Sequence, residues 1–446
     1  MSLAMKEDSA AQPAMVPEEI TGTARRVVVG HMVWRQTFAA LRHRNFRLFF
    51  FGQLVSLIGT WMQNTAQGWL VYQLTGSKIL LGVVAATGSL PMLLFGVWGG
   101  SVADRYPKRS VLLVTQTWMM LMALTLAALV AGGWVRPWHI VMVAAGTGLG
   151  MAFDMPVRQS FMVEMANRED LMNAISLNSS IVNSARVIGP ATAGLLMAKV
   201  GIAACFFLNG LSFLGVIAGL WMMRLPPRAA APHIGSTWQH VKEGLRYAAS
   251  QRRIRILVML LAVVGIFGWS YLVLMPAFAR DLLKVNEAGY GVLLGANGVG
   301  ALAGALTVAT FGSRMRPRMM VLGGLGWFSV MLLLLSQSHS YGLAMCLLAA
   351  SGAGIMLFFS TSNTLVQLSA SDDMRGRMMG IWALVFGGMM PLGGLEAGLL
   401  AHWFGVRAAM ATGASVCALA GLLTWWLVRH REPASWQEQG GSRSHG

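Results

Sequence analysis

The stretch GSVADRYPKR (100–109) sets Asp104, Arg105, Lys108 and Arg109 within six positions, in a chain of which only 11% is charged. Apolar runs flank it on both sides. An acid leading three bases at the mouth of an apolar run can form and break ion pairs, which is the chemistry of a latch. Asp154, with Arg158 one helical turn later, offers the same chemistry, as do Glu164, Arg375 and Arg377. Two more charges lie inside apolar runs, where an ionisable group costs several kcal/mol unless paired or hydrated. Arg186 sits four residues before Pro190. It either binds an anionic part of a solute or is neutralised by carbonyls freed near the proline. Glu396, in GGLEAGLL, either takes up a proton in low dielectric or meets an Arg, a backbone partner or an aqueous vestibule. Asp154 is a second candidate for proton uptake. Chemistry that makes bonds has no counterpart here. There is no His-Glu-x-x-His, no Ser/His/Asp arrangement, no Cys/His metal spacing and no Gly-x-x-x-x-Gly-Lys-Ser/Thr loop. An enzyme, a bound metal and a cofactor are therefore not expected. Cys205, Cys346 and Cys417 each fall in an apolar segment, far apart, and read as small core residues.

Such charges need long apolar elements to hold them. The 446 residues are 55% hydrophobic, with 52 Gly and 32 Met, and mean hydropathy is +0.59. Soluble chains carry about 25% charge, so lipid is the expected solvent. A helix crosses the hydrocarbon core in about 20 residues. Six runs precede the middle, at 47–73, 79–102, 110–132, 138–160, 172–198 and 202–224. Six follow, at 255–279, 289–312, 318–337, 342–366, 376–402 and 406–428. Barrel strands need only about 10 alternating residues, so the expected fold is an all-α membrane protein of twelve transmembrane helices in two six-helix halves.

Net charge is +17, but the basic residues sit in short connections between apolar runs, not on one polar surface. That excludes nucleic acid as a partner. Apart from Arg186, only Lys78, Arg136, Lys199, Arg280, Lys284 and Arg407 fall on the side of the connections opposite the termini. The bias places both termini in the cytosol. The tail 1–44 has Glu7, Asp8, Glu18 and Glu19 and no apolar signal core. Its end reads as a basic interfacial helix with Trp34, Phe38 and Leu41 on one face. The first half then covers 45–224, a linker 225–254, the second half 255–429, and a cytosolic tail 430–446. In the linker, Pro226, Pro227 and Pro232 stop the sixth helix, and Trp238, Val241 and Leu245 share a face of a short surface helix.

The halves repeat. At a shift of 204, AGLLMAKVGIAA (193–204) falls on AGLLAHWFGVRA (397–408), and Gly189 on Gly393. At a shift of 209, GVVAATG (82–88) falls on GVLLGAN (291–297), Arg105 on Arg314 and Arg109 on Arg318. Asp104 falls on Ser313, so the acid is not repeated. Related halves are how many secondary transporters are built, with the solute site between them. Polar and aromatic residues on the spans are candidates for that site: Gln53, Asn64, Gln67 and Trp69 on the first, Trp269 and Tyr271 on the seventh, and Asn363 and Gln367 on the tenth. Each alone also suits helix packing. Together they describe a cavity for an amphipathic small molecule. The pairs Gly96/Gly100, Gly146/Gly150, Gly300/Gly304 and Gly394/Gly398 read as packing devices.

On these residues the chain resembles the major facilitator superfamily. Gly100, Asp104, Arg105, Lys108 and Arg109 fall on its loop motif between the second and third helices, with Pro107 where a Gly is usual. RVIGPATAG (186–194), with Arg186, Gly189, Pro190 and Gly194, resembles the fifth-helix motif of exporters in that superfamily. GTWMQNTAQGWLVYQLTGS (59–77) and FDMPVRQSF (153–161) look like the branch of bacterial enterobactin and macrolide exporters. The resemblance covers roughly 45–430. It implies a monomer in the bacterial inner membrane that moves a solute by alternating access, driven by a proton or another ion. Import or facilitated diffusion by the same fold is the alternative. It also implies that in the outward-open state Asp104 locks onto the positive N-terminal end of the eleventh helix and onto Arg375 or Arg377, while Arg105 or Arg109 pairs with Asp154 or Glu164.

Overall fold

The computed structural model describes residues 39–165, 170–224, 237–312 and 314–431. Twelve long helices and one short one account for nearly all of them, and no strand occurs among the described residues. The first six are α1 (Arg44–Thr75), α2 (Lys78–Arg105), α3 (Lys108–Ala131), α4 (Pro137–Met165), α5 (Leu171–Lys199) and α6 (Ile202–Met222). After the surface helix α7 (Thr237–Ser250) come α8 (Arg252–Leu282), α9 (Glu287–Phe311), α10 (Pro317–Gln337), α11 (Tyr341–Ser369), α12 (Asp372–Phe404) and α13 (Val406–Arg431). Eleven are long and apolar enough to cross a membrane by length and composition. The exception is α1, whose 32 residues include Gln53, Gln63, Asn64, Gln67 and Gln73. At 1.5 Å per residue it still spans about 48 Å. Helices alone satisfy every backbone group within their own segment, as a hydrocarbon solvent requires.

The connections are short and have local causes. Gly76 ends α1 in the left-handed conformation at φ 61°, and the Ser77 hydroxyl accepts the Leu80 amide to start α2. Gly201 and Gly405, a repeat-related pair, hold φ 104° and 87° at the starts of α6 and α13, where a side chain would be strained. The repeat extends to side-chain bonds. Trp118 Nε1 donates to Gly146 O at 2.7 Å, and Trp327 Nε1 donates to Ala350 O at 2.9 Å. Arg109 Nη2 donates to Trp221 O at 2.8 Å, and Arg318 Nη2 to Trp425 O at 3.3 Å. In each half the Arg at the start of the third helix meets the end of the sixth.

One face of the bundle carries the starts of α1 and α8, the end of α13, and α7. It also carries most of the basic residues, and we call it the basic face. There α7 lies on α12. Glu243 pairs with Arg377 at 2.8 Å, Gly244 lies against Ile381, and the Tyr247 hydroxyl accepts the Ser371 amide. Leu245 is exposed, and the side chains of Trp238 and Val241 lie outside the described residues. Of the expected N-terminal interfacial helix, Trp34 and Phe38 lie outside them too. What is described, Ala39–Arg42, is one 3-10 turn docked on the protein itself. The Ala40 amide bonds Asn173 Oδ1 at 3.0 Å, and His43 meets Asp170 at 2.8 Å. Cys205 and Cys417 are buried as expected, whereas Cys346 is exposed on α11.

Candidate functional site

The two halves touch along two repeat-related seams. In one, α2 meets α12: a Cβ on Gly398 would lie 2.9 Å from Lys78 O and 3.2 Å from Gly82 Cα, and Gly394 faces Gly82 and Ala86. In the other, α5 meets α9 through Gly194, Gly291 and Pro190. The Gly-Pro stretch 186–194 is therefore where α5 carries its contacts to both α1 and α9. Gly189 abuts Ile58 and Trp61, Gly194 abuts Gly291, and the Arg186 carbonyl abuts Gly298. Gly394/Gly398 thus packs across the halves, and Gly300/Gly304 packs within the second half against Ala349 and Ala353. The pair Gly96/Gly100 makes no such contact. Gly100 faces open space, and its neighbour Gly99 makes the close approach, to Ala152 and Pro156 of α4.

Both seams close toward the face opposite the basic one. A polar cluster between α1, α8 and α9 completes the closure. Tyr72 donates to Asp281, Arg280 Nη1 donates to Tyr72 O at 3.2 Å, and Trp69 Nε1 donates to Glu287 Oε1 at 3.2 Å. The Trp69 ring stacks on Tyr290 with centroids 5.2 Å apart. Trp69, expected to touch solute, is part of this seal. Its ring is buried and its one donor is occupied.

Toward the basic face the halves part. Among the described residues α4 makes no extended contact with the second half, and α11 makes none with the first. The first half of α5 exposes Ser176, Ser179 and Ser180, and α11 exposes Thr364 with Asn363 and Gln367 half-buried. Exposed polar groups at membrane depth face a watery cavity more readily than lipid. Asn363 Oδ1 accepts from Gln367 Nε2 at 2.7 Å, so these two hold each other on the cavity flank. Asn64 is exposed and shares a helix face with Trp61 and Gly68. Three other candidates do not reach the cavity in this state. Gln53 is 1% exposed, beside the close approach of Gly52 to Gly215 on α6, and Tyr271 is buried with Asn297 bonded to its hydroxyl at 3.0 Å. Gln67 is buried on α1.

In this state, with the basic face open, the charges there pair locally. Asp154 is fully buried and bonds Arg158, Thr115 Oγ1 at 3.0 Å and Gln116 Nε2 at 2.6 Å, all within the first half. Glu164 takes Lys108 at 2.7 Å, not Arg105 or Arg109. The geometry of the loop explains this. Pro107 caps α3, so Lys108 begins the helix and points at α4, while Arg109 turns to the end of α6. Arg105 is exposed. Arg375 Nε donates to Gln367 O at 3.3 Å, and Arg377 holds Glu243. The Asp104 side chain lies outside the described residues.

At mid-depth, Arg186 enters from α5. Its guanidinium lies over Trp61 of α1 at 5.3 Å and Trp269 of α8 at 5.9 Å. Trp269 in turn packs edge-on against Phe359 at 5.9 Å and Phe386 at 5.8 Å. Trp61 and the two phenylalanines were not among the residues the sequence nominated. Apolar rings at helical spacing do not distinguish a lipid face from a cavity wall. The clue was position: Trp61 lies in the same quoted stretch as Asn64 and one turn before it. Glu396 is not in the cavity. It lies inside the second half, close to Cys417 of α13, and both its oxygens are buried without a hydrogen-bond partner. Next to it Gly393 abuts Ile266 and Gly265, in the π-helical segment Val264–Gly268 of α8.

Two related helical halves, sealed at one face and parted at the other, are the architecture of a multi-pass membrane transporter. The chain belongs to the transmembrane secretion effector family of the major facilitator superfamily, whose sequence model matches residues 35–441. Among curated proteins it is 28% identical to the multidrug efflux pump Tap of Mycolicibacterium fortuitum, over 86% of this chain and 96% of that one. It is 24% identical to a staphyloferrin A transporter of Staphylococcus aureus, over 81% and 90%. Macrolide efflux protein A of Streptococcus pyogenes is 22% identical over 81% and 93%. Among solved structures, a bacterial homologue of the lysosomal transporter Spinster, inward-facing and occupied, matches with a TM-score of 0.71 at 13% identity, over 87% of this chain and 97% of that one. The nucleoside transporter NupG matches at 0.68 and 13% identity, over 88% and 100%.

Proposed function

We propose that the protein is a proton-coupled exporter of a small amphipathic molecule, working by alternating access in a bacterial inner membrane with both termini in the cytosol. The observation that carries this reading is the asymmetry of the bundle. The seams α2/α12 and α5/α9 are closed at one face only, and the cavity opens at the face with the basic connections. With that face cytosolic, the state is inward-facing and poised to load solute from the cell. The names of two curated relatives, both efflux proteins, support export.

Glu396 is the candidate coupling site. A buried carboxylate with no hydrogen-bond partner can exchange a proton when its surroundings change. The π-helical turn beside it is the kind of irregularity that accompanies functional sites in helices. One charge crossing 100 mV supplies about 2.3 kcal/mol, and a decade of concentration costs about 1.4 kcal/mol. Each proton therefore supports roughly a fifty-fold solute gradient. The test is transport in proteoliposomes under an imposed pH gradient, with Glu396→Gln beside the wild type. The gradient should accelerate the wild type and leave the variant at its exchange rate. Transport by the wild type that ignores the gradient refutes the coupling. Direction is read from cells lacking the protein: greater retention of a transported compound supports export, and lower retention supports import.

A further inference from the structure

We propose that the solute of this cavity carries an anionic group, and that Arg186 binds it between the faces of Trp61 and Trp269. The inference rests on the transporter reading above and names the chemical class of its substrate.

Arg186 is a cation at mid-depth, and such a charge is costly to hold without a counter-charge. Among the described residues none of the ion pairs includes Arg186, and no hydrogen bond from its guanidinium to a protein carbonyl is present. Its Nε is buried without an acceptor. So the carbonyls near Pro190 do not neutralise it. What the protein supplies instead is two indole faces, at 5.3 Å and 5.9 Å. These steady a cation by their quadrupoles but accept no hydrogen bond in the guanidinium plane. The fork of donors is left for a planar or multi-oxygen anion, the match at which Arg excels. A second donor waits nearby: the Trp269 Nε1 is also buried and unpartnered. Two orphaned donors around one cation, in a site otherwise lined with rings, describe a receptor for an oxyanion attached to an apolar body. The body has its own wall, formed by Phe359 and Phe386 behind Trp269.

The placement also links binding to the halves. Arg186 and Trp61 belong to the first half and Trp269 to the second, so an anion held here touches both. The seam that buries the Arg186 carbonyl against Gly298 starts at the same residue. Solute that draws the guanidinium toward α8 therefore acts at the root of the α5/α9 contact.

The test uses purified full-length protein and three probes sharing one ring system: 1-naphthaleneacetate, its neutral amide 1-naphthaleneacetamide, and the cation 1-naphthylmethylamine. Binding is read by quenching of tryptophan fluorescence and by thermal stabilisation. The wild type should bind the carboxylate at least tenfold more tightly than the amide or the amine. Arg186→Met should erase that preference, and Arg186→Lys should keep part of it, since a point charge remains but the stacked fork does not. A wild type that binds the carboxylate no better than the amide, or binds none of the three, overturns the proposal without recourse to any variant. An Arg186→Met protein that keeps the preference overturns it as well. The two readings fail separately. Gradient-driven transport of the amide or amine in proteoliposomes, with no anion preference, removes the anion site and leaves the exporter. Arg186-dependent carboxylate binding without gradient-driven transport keeps the site and removes the coupling.

Discussion

Adding one methyl group at Gly194 should unbalance the transport cycle. A Cβ there would lie 2.9 Å from Glu287 O, 2.9 Å from Gly291 Cα and 3.0 Å from Ala288 O. All three are backbone atoms of the other half, so neither partner can turn a side chain away. Overpacking of this kind costs about 1–3 kcal/mol. The clash exists only while α5 and α9 are joined, and it vanishes when the halves part at that face. Gly194→Ala should therefore destabilise the present state relative to the opposite one by that amount, a shift of about 5- to 150-fold in their ratio. The assay is a spin-label distance measurement between Val200 and Lys284, exposed positions on the two halves at the sealed face, in a background without native cysteines. The short-distance population should fall and a longer one should grow. Gly300→Ala is the control. Its Cβ would strike Ala349 of the same half, so it should lower thermal stability and leave the distance distribution unchanged. If Gly194→Ala also lowers stability without moving the distribution, the seam is not the element that opens, and the reasoning fails.

Two other predictions follow from the basic face. Asp154→Ala should strand the partly buried Arg158 and cost about 3–5 kcal/mol, while Asp154→Leu combined with Arg158→Met should recover most of the loss; thermal denaturation of purified variants measures both, and a double variant no better than the single one counts against a paired charge. Asp104→Asn should slow transport and shift the distance distribution above further toward the sealed population, with normal membrane insertion. Normal transport by that variant would leave the loop with a topological role only.

How far the sequence reaches depends on what kind of regularity a feature has. Lipid imposes length and apolarity on every span, so twelve helices could be placed within a few residues of where they lie. The repeat could be read because packing demands it twice. Gly201 and Gly405 recur since each must take positive φ, and Arg109 and Arg318 since each meets the end of the last helix of its half. Pairing between charges is different, because it depends on side-chain direction over a turn. Lys108, not Arg109, reaches Glu164 only because Pro107 fixes where α3 begins.

The same limit applies to the site and explains which of its residues could be nominated in advance. Trp61 and Trp69 lie on one helix eight residues apart, a little over two turns, and composition treats them alike. Their surroundings do not. Trp61 stands where α5 narrows to Gly189, which lets the indole lie under Arg186. Trp69 stands where α9 presents Glu287 and Tyr290, which engage both its donor and its face. One became a wall of the cavity and the other part of its lid. The deciding residues are some 130 and 220 positions away in sequence, and no local pattern on α1 encodes them. Arg186 and Glu396 were legible for the opposite reason. A charge inside an apolar run is anomalous whatever surrounds it, so it could be nominated before its partners were known. Their separation was not legible. Arg186 lies between the halves and Glu396 within one of them, so solute and proton would occupy different sites, and α8 is a helix that touches the surroundings of both. On one side of that helix Trp269 meets Arg186, and on the other its π-helical turn packs against the segment of α12 that carries Glu396.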